Sequence, residues 1–385
     1  MKIDNFSKNS SGKVLFEEKG KASYYYFLPD PLPPKLVFKN DLLFFLSEVN
    51  YSIGKFSGLL SEIRNSSLLI KPMMRKEAVL SSQIEGTQSN LRDLYMYESD
   101  SKSKNLPQDV NEVSNYLNAM EYGLKRLNSL PISTRLIKEI HKILLTGDRG
   151  QYCFPGEFRK TQNWIGRPGC TLNEAEYVPP APYKISECLN SLEKFIHYDD
   201  SVPVLIKLAM IHYQFEAIHP FIDGNGRVGR LLITLLKMYW KILPKPGLYM
   251  SEYFESKRSE YYQLLKNVSF NGKWIDWISF FLNGLKEQSE RGINKITQLK
   301  YLQNKWTNFL RDEASSLPLR LIDKIFDNPI ISIPTAVKFL GVTYLSAKRT
   351  IDTLCAKNIL VPLGNSKYGK KFLAKELLDL IENRE

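Results

Sequence analysis

Cysteine and histidine are both scarce in this chain, with four of each among 385 residues. Cys153, Cys170, Cys188 and Cys355 share no CxxC or other metal spacing, which argues against a zinc site and against a disulfide framework. Long apolar runs are missing too. A membrane span needs roughly 18 such residues, whereas the richest run here, Leu231 to Leu236, stops at Lys237. Residues 1–9 alternate polar and charged side chains without the apolar stretch of a signal peptide, so a cytoplasmic protein with no membrane partner is expected. No internal repeat or low-complexity tract occurs. Histidine, with an ordinary pKa near 6.5, is the side chain suited to proton transfer at neutral pH. An acid–base site therefore has four histidine candidates: His141, His197, His212 and His219.

What is present is an ordinary globular balance, 43% apolar and 24% charged, with a net charge of +12. That charge favours phosphate-bearing or acidic partners and serves solubility equally well. Proline and glycine divide the chain. Residues 1–35 read as an extended lead-in ending in Pro29, Pro31, Pro33 and Pro34. Helical spacing runs from Asn40 to about Asn128, gives way to a loop-rich stretch over 151–183, and resumes from Ile185 to about Leu310. Pro318 opens a last small segment. The expected fold is mainly α, with a helical N-terminal region over 1–110, a helical core over 111–310 and a small module over 318–385.

The stretch from Val202 to Trp240 is the most informative. Val204, Leu208, Ile211, Phe215 and Ile218 make one apolar helical stripe, and Pro220 ends that helix at His219. A glycine-containing turn follows, and Arg227 to Trp240 read as the next helix. The first turn of a helix offers backbone donors and the positive end of its dipole, which together form an anion site. Gly224 and Gly226 let a phosphate come close to the backbone. Arg227 and Arg230 are three apart and can hold phosphate oxygens. Asp223 can carry Mg²⁺ together with phosphate oxygens and water. His219 is placed to deprotonate an incoming hydroxyl. Residues 224–229 also satisfy GxGxxG, but that fingerprint needs a preceding strand, and the run before it has helical period. No GxxxxGK[ST] occurs.

The twelve residues from His219 to Arg230, HPFIDGNGRVGR, resemble the signature of Fic domains at every specified position. The likeness extends to Pro155–Arg159 and Asn163–Gly166, similar to the segment leading into the family's target-binding flap, and to Tyr177–Pro180, similar to the stretch after it. The resemblance implies a helical Fic core with a short flap hairpin. It implies a Mg²⁺-dependent transfer of AMP from ATP to a Ser, Thr or Tyr hydroxyl of a target protein. By the same likeness His219 is the base and Asp223 the metal ligand. The nucleotide is held by Gly224, Asn225, Gly226, Arg227, Val228, Gly229 and Arg230, with Arg230 at the γ-phosphate. Tyr262, in the helical run Glu260 to Val268, is a candidate adenine contact, although a core or surface tyrosine is the plainer reading. Self-modification and pairing as a homodimer are further partners the resemblance allows.

Two flanking segments add to this. Pro72 to Glu85 reads as one helix ended by Gly86, with Ser81 and Glu85 on a shared face. Ser81–Gly86 resembles the family's inhibitory motif, which implies that Glu85 pairs with Arg230 in the place of the γ-phosphate. Near the C-terminus, Ser332–Leu340, a Gly341 turn and Tyr344–Lys357 read as helix–turn–helix, followed by a hairpin over Ile359–Phe372. This resembles a winged helix-turn-helix, with Lys348 and Arg349 on the recognition helix and Lys367, Lys370 and Lys371 near the wing. Residues 331–385 hold nine Lys and Arg against five Asp and Glu, a modest excess that suits DNA or a protein partner. Two alternatives share these residues: a hydrolase that removes AMP with Glu85 orienting water, and a DNA-binding regulator with the core as sensor. His141, His197 and His212 read as structural.

Overall fold

The computed structural model describes residues 1, 3–18, 23–63, 66–99, 107, 109–147, 151–198, 201–364 and 370–382. Among them are fifteen α-helices and five short strands, so the protein is mainly α. No helix among the described residues is long and apolar enough to cross a membrane. The chain folds into two compact units, neither of them continuous in sequence. One comprises residues 1–55, 115–243 and 248–288; the other comprises 56–114, 244–247 and 289–385.

The first unit is built around α7 (Val204–Ile218) and α8 (Asn225–Tyr239), which pack on each other with α6 (Ile185–Tyr198) beside α7 and α5 (Thr134–Leu144) beside α6 and α8. The single apolar stripe expected for α7 understates its burial. Nearly every residue from Leu205 to Ile218 is buried, including Lys207, His212 and Gln214, while the stripe's first member, Val204, is 39% exposed. A helix apolar on all sides belongs in the middle of a core. His212 sits there among Phe254, Tyr261, Trp277 and Phe281, with Nε2 2.9 Å from the Tyr261 hydroxyl. Burial holds its pKa down at about 3, with the Arg230 charge acting the same way, so it is neutral.

The lead-in is more than an extended tail. β1 (Gly12–Glu17) and β2 (Tyr24–Pro29) pair antiparallel, and Tyr24, Tyr26 and Phe27 bury against Tyr177, Val178 and Ala181. The Phe27 N–H donates to the Val178 carbonyl at 2.8 Å. Alternating side chains on one buried face hold such a pair in register. The flap hairpin itself is reduced to one bridge, Ile165 with Tyr177.

In the second unit, α2 (Ser66–Ile84) begins six residues before the expected start, and Pro72 lies inside it. Proline there gives up a helical hydrogen bond. The buried stripe Ile70, Met74 and Ala78 carries the helix through it. Packed against α2 are α3 (Leu91–Ser99), α12 (Leu317–Asp327) and α15 (Lys375–Glu382). Arg75, 8% exposed, pairs with Glu98 of α3 at 2.9 Å and with Asp327 of α12 at 3.6 Å. The C-terminal elements are β3 (Ile330–Ser332), α13 (Ile333–Leu340), α14 (Tyr344–Ala356), β4 (Val361–Leu363) and β5 (Lys371–Leu373), with strand order β3-β5-β4. Lys367 lies outside the described residues.

Candidate active site

The site is the loop between α7 and α8. α7 ends at Ile218, and His219 follows in the left-handed conformation at φ 49°, ψ 60°. A residue with a Cβ is uncommon there, and the strain persists only where its surroundings fix it. Those surroundings centre on Arg159, which is 2% exposed and keeps its charge among carbonyl groups. Its Nε donates to the His219 carbonyl at 2.9 Å, its Nη2 to the Pro180 carbonyl at 2.6 Å, and its own N–H to the Pro220 carbonyl at 3.0 Å. Burial among neutral acceptors pulls its pKa down to about 10. Tyr177, beyond the flap, donates its hydroxyl to the Ala217 carbonyl at 2.7 Å. Arg159 and Tyr177 together tie the flap's two flanks to the end of α7.

His219 is half-buried, and its Nδ1 stands 3.4 Å from the Glu216 carbonyl oxygen. A carbonyl only accepts, so Nδ1 is the donor in this contact. α8 starts two residues earlier than expected, at Asn225, with Gly224 left-handed at φ 78° as its N-cap. The reason is the Asn225 side chain, whose Oδ1 accepts from the Phe221 N–H at 2.8 Å while Nδ2 donates to the Phe221 carbonyl at 2.9 Å. The first helical bond runs from the Val228 N–H to the Gly224 carbonyl at 3.0 Å. The amides of Asn225, Gly226 and Arg227 thus precede the ladder, at the positive end of the helix dipole.

Asp223 is the most open member, its side chain 57% exposed. Oδ1 takes the Gly224 N–H at 2.6 Å, and Oδ2 is 3.4 Å from Arg227 Nη2. Arg227 and Arg230 are 4% and 2% exposed, two cations within the first two turns of one helix. Val228 and Gly229 face inward: a Cβ on Gly229 would collide with Glu216 Oε1 and stand 3.2 Å from the Phe215 ring, so a side chain there would force Glu216 to shift. Tyr262 is 37% exposed on α10 (Arg258–Asn271), its ring 5.1 Å from that of Tyr261 and 5.9 Å from the Arg258 guanidinium.

Three residues support the loop: His141, read above as structural, and Asn163 and Arg159, which lie in the segments flanking the flap. Asn163 donates to the Phe221 carbonyl at 2.8 Å. Arg159 holds His219 as described. His141 is fully buried against the loop, where burial lowers its pKa to about 4 and keeps it neutral. All three bond to backbone groups.

Residues 131–236 match the model described as Fic/DOC family, and residues 44–125 match the one described as Fic/DOC family N-terminal. The chain carries a Fic domain. Among curated proteins, it is similar to the protein adenylyltransferase Fic of Drosophila willistoni, 31% identical over 163 residues, which is 40% of this chain and 28% of the relative. The same-named protein of Drosophila grimshawi is 31% identical over 163 residues, 40% of this chain and 29% of the relative. The match thus spans under a third of these relatives' length. In fold, a Fic family protein from Desulfovibrio desulfuricans superposes with a TM-score of 0.58 at 17% identity, over 89% of this chain and 98% of its own. A Fic domain containing signaling protein from Bacteroides thetaiotaomicron gives 0.53 at 17% identity, over 66% and 96%. Within the Fic domain, Arg227, Arg230, the α8 amides and His219 all belong to one loop and the first two turns of one helix.

Proposed function

We propose that the protein is an adenylyltransferase that moves AMP from ATP to a Ser, Thr or Tyr hydroxyl of a target protein, held in check by its own Glu85. The observation that carries this reading is the pairing, within one loop, of the His219 imidazole, its Nδ1 turned to the Glu216 carbonyl, with the amides that open α8. His219 takes the hydroxyl proton. The hydroxyl oxygen forms its bond to the α-phosphorus, the bond from that phosphorus to the β-bridging oxygen breaks, and pyrophosphate leaves. Such transfers depend on positioning and on neutralising phosphate charge. The amides of Asn225, Gly226 and Arg227 and the Arg227 guanidinium supply that neutralisation, with Arg230 at the γ-phosphate. Val228 and Gly229 set the helix from which these groups project.

Among the described residues no cluster of three or more His, Cys, Asp or Glu side chains is arranged to hold a metal. Asp223, an exposed carboxylate beside the amides, fits Mg²⁺, which takes one or two carboxylates and completes its shell with phosphate oxygens and water. Mg²⁺ there would supply charge neutralisation on the phosphates.

Glu85 is exposed and follows directly after α2, where Gly86 at φ 101° ends the helix. Ser81, one turn earlier, is buried. In this reading Glu85 takes the γ-phosphate's place at Arg230 and leaves the α-phosphate misaligned. A shift of about 1 Å can cost roughly a hundredfold. The test is mass spectrometry of the protein after incubation with labelled Mg-ATP. Glu85→Gly is expected to raise AMP adduct formation, and His219→Ala to remove it even in that background. Equal labelling of Glu85→Gly and wild type sinks the inhibitory role alone; no adduct from either, with or without an added target protein, sinks the transferase.

The C-terminal elements are read as a winged helix-turn-helix that contacts a partner. On α14, Tyr344 and Leu345 are exposed beside exposed Lys348 and Arg349, a mixed apolar and basic face that suits a protein more than DNA. Salt-dependent binding of duplex DNA would reverse that preference.

A further inference from the structure

One side chain outside the signature meets the site loop on several sides and has no part in the proposed transfer. His141, on α5, is 0% exposed. Its Nδ1 accepts the Gly156 N–H at 2.9 Å, so the ring proton is on Nε2, which donates to the Asp223 carbonyl at 3.0 Å. The ring lies flat on Phe221, with centroids 3.6 Å apart and planes 7° from parallel. A Cβ placed on Gly224 would be 3.6 Å from its Cδ2.

The Asp223 carbonyl and the Gly224 N–H are opposite ends of one planar peptide, so fixing the first aims the second. The Gly224 N–H in turn holds Asp223 Oδ1 at 2.6 Å. The result is a line of three hydrogen bonds. It runs from the Gly156 amide through the imidazole and the Asp223–Gly224 peptide to the Asp223 carboxylate. We propose that His141 is a positioning residue for this carboxylate and for the phosphate cradle, acting through its Nε2–H on the Asp223 carbonyl. This rests on the transferase reading, in which Asp223 carries the metal. Groups that orient a ligating side chain commonly matter 10–100-fold for metal affinity.

The two ring nitrogens can be replaced separately. A glutamine reaches the Nε2 position and keeps a donor for the Asp223 carbonyl. An asparagine reaches the Nδ1 position and keeps an acceptor for the Gly156 N–H. Phenylalanine keeps only the stack. The experiment measures Mg-ATP binding by calorimetry on the full chain, ATP binding in the presence of a chelator, and thermal melting. His141→Gln is expected to stay within about threefold of wild type, and His141→Asn and His141→Phe to weaken Mg-ATP binding roughly 10–100-fold. Binding without Mg²⁺ should change less across the series, because the carboxylate is what has been disturbed. A purely structural role predicts that affinity follows melting temperature, whichever nitrogen is replaced. That outcome, or an Asn variant that binds Mg-ATP as well as the Gln variant, overturns the proposal. The Gln and Asn pair decides even if the Phe variant fails to fold. Wild type that binds no Mg-ATP overturns the transferase reading and this inference with it.

Discussion

Of the connections that join helix to helix through a left-handed residue, two are built from opposite materials. Between α13 and α14 the left-handed position belongs to Gly341, at φ 69°, whose N–H closes α13 on the Val337 carbonyl. The next helix is capped by Thr343, whose hydroxyl takes the Ser346 N–H at 3.3 Å. Glycine at a helix end and threonine at a helix start are the residues such positions favour. Between α7 and α8 the order is inverted. A histidine stands in the left-handed position, and the N-cap is Gly224, which has no side chain with which to cap. One connection satisfies its own helix ends. The other holds a histidine in left-handed backbone and opens its helix without a side-chain cap, which is what separates a site from a turn.

The sharpest way to break the comparison is to give the site the turn's residue. His219→Gly is expected to abolish the proposed AMP transfer, as is expected of His219→Ala, while relieving left-handed strain worth about 1 kcal/mol. The checks are adduct mass spectrometry and denaturant unfolding on the same protein. A variant that loses activity and stability together would place the strain elsewhere. Next in size is the missing cap. Gly224→Ser supplies a hydroxyl that competes for the α8 amides, in a left-handed position where Leu144 Cδ2 would stand 3.3 Å from the new Cβ. Mg-ATP binding is expected to weaken at least about tenfold, the equivalent of about 1.4 kcal/mol, read by calorimetry.

The two histidines associated with α7 offer a second contrast, in acid. His219 belongs to the half-buried loop, whereas His212, seven residues earlier, is enclosed by aromatic rings with its pKa held near 3. The folded state refuses a proton that the unfolded chain accepts below its ordinary pKa of about 6.5. The contribution of His212 is therefore complete above that value and is lost as pH falls towards 3, with a slope of at most about 1.4 kcal/mol per pH unit. His212→Phe should flatten that part of the profile in urea unfolding measured between pH 4 and 7. An unchanged slope would mean that other groups carry the acid sensitivity.

The contrast also explains what could be read from residues alone. The helical class, the break at His219 and a new helix opening just after the glycine turn all follow from local spacing, and the structure keeps them. The α8 start moved by two residues because Asn225 bonds to Phe221, an interaction that periodicity does not encode. His141 reads as structural and Arg159 as part of a flap segment, and their hold on this loop is hidden for a different reason. Their partners are the carbonyls of Asp223, 82 positions away, and of His219, 60 away, and a carbonyl gives a sequence no letter to match. The same limit hid the link between α2 and the C-terminal elements, where Lys71 meets Asp327 across 256 positions. Pro72 reads as a helix start by its chemistry and sits mid-helix because Ile70 and Met74 bury on either side of it.

The smallest effects belong to the self-satisfied connection, and they sharpen the comparison by what they leave alone. Thr343→Ala removes one cap bond and should cost about 1 kcal/mol. Gly341→Ala should cost a similar amount through left-handed strain, about 1 kcal/mol, because a Cβ there meets nothing within 4 Å and no clash adds to it. Both changes sit in the unit that holds α2, so melting temperature should fall while Mg-ATP affinity stays at the wild-type value. The measurement that matters is therefore the pair of readings on each variant. A loss of affinity in Thr343→Ala without a change in Gly341→Ala could not come from lost stability alone. It would mean that the α14 end communicates with the nucleotide, and the division between a connection that serves the fold and one that serves chemistry would no longer hold.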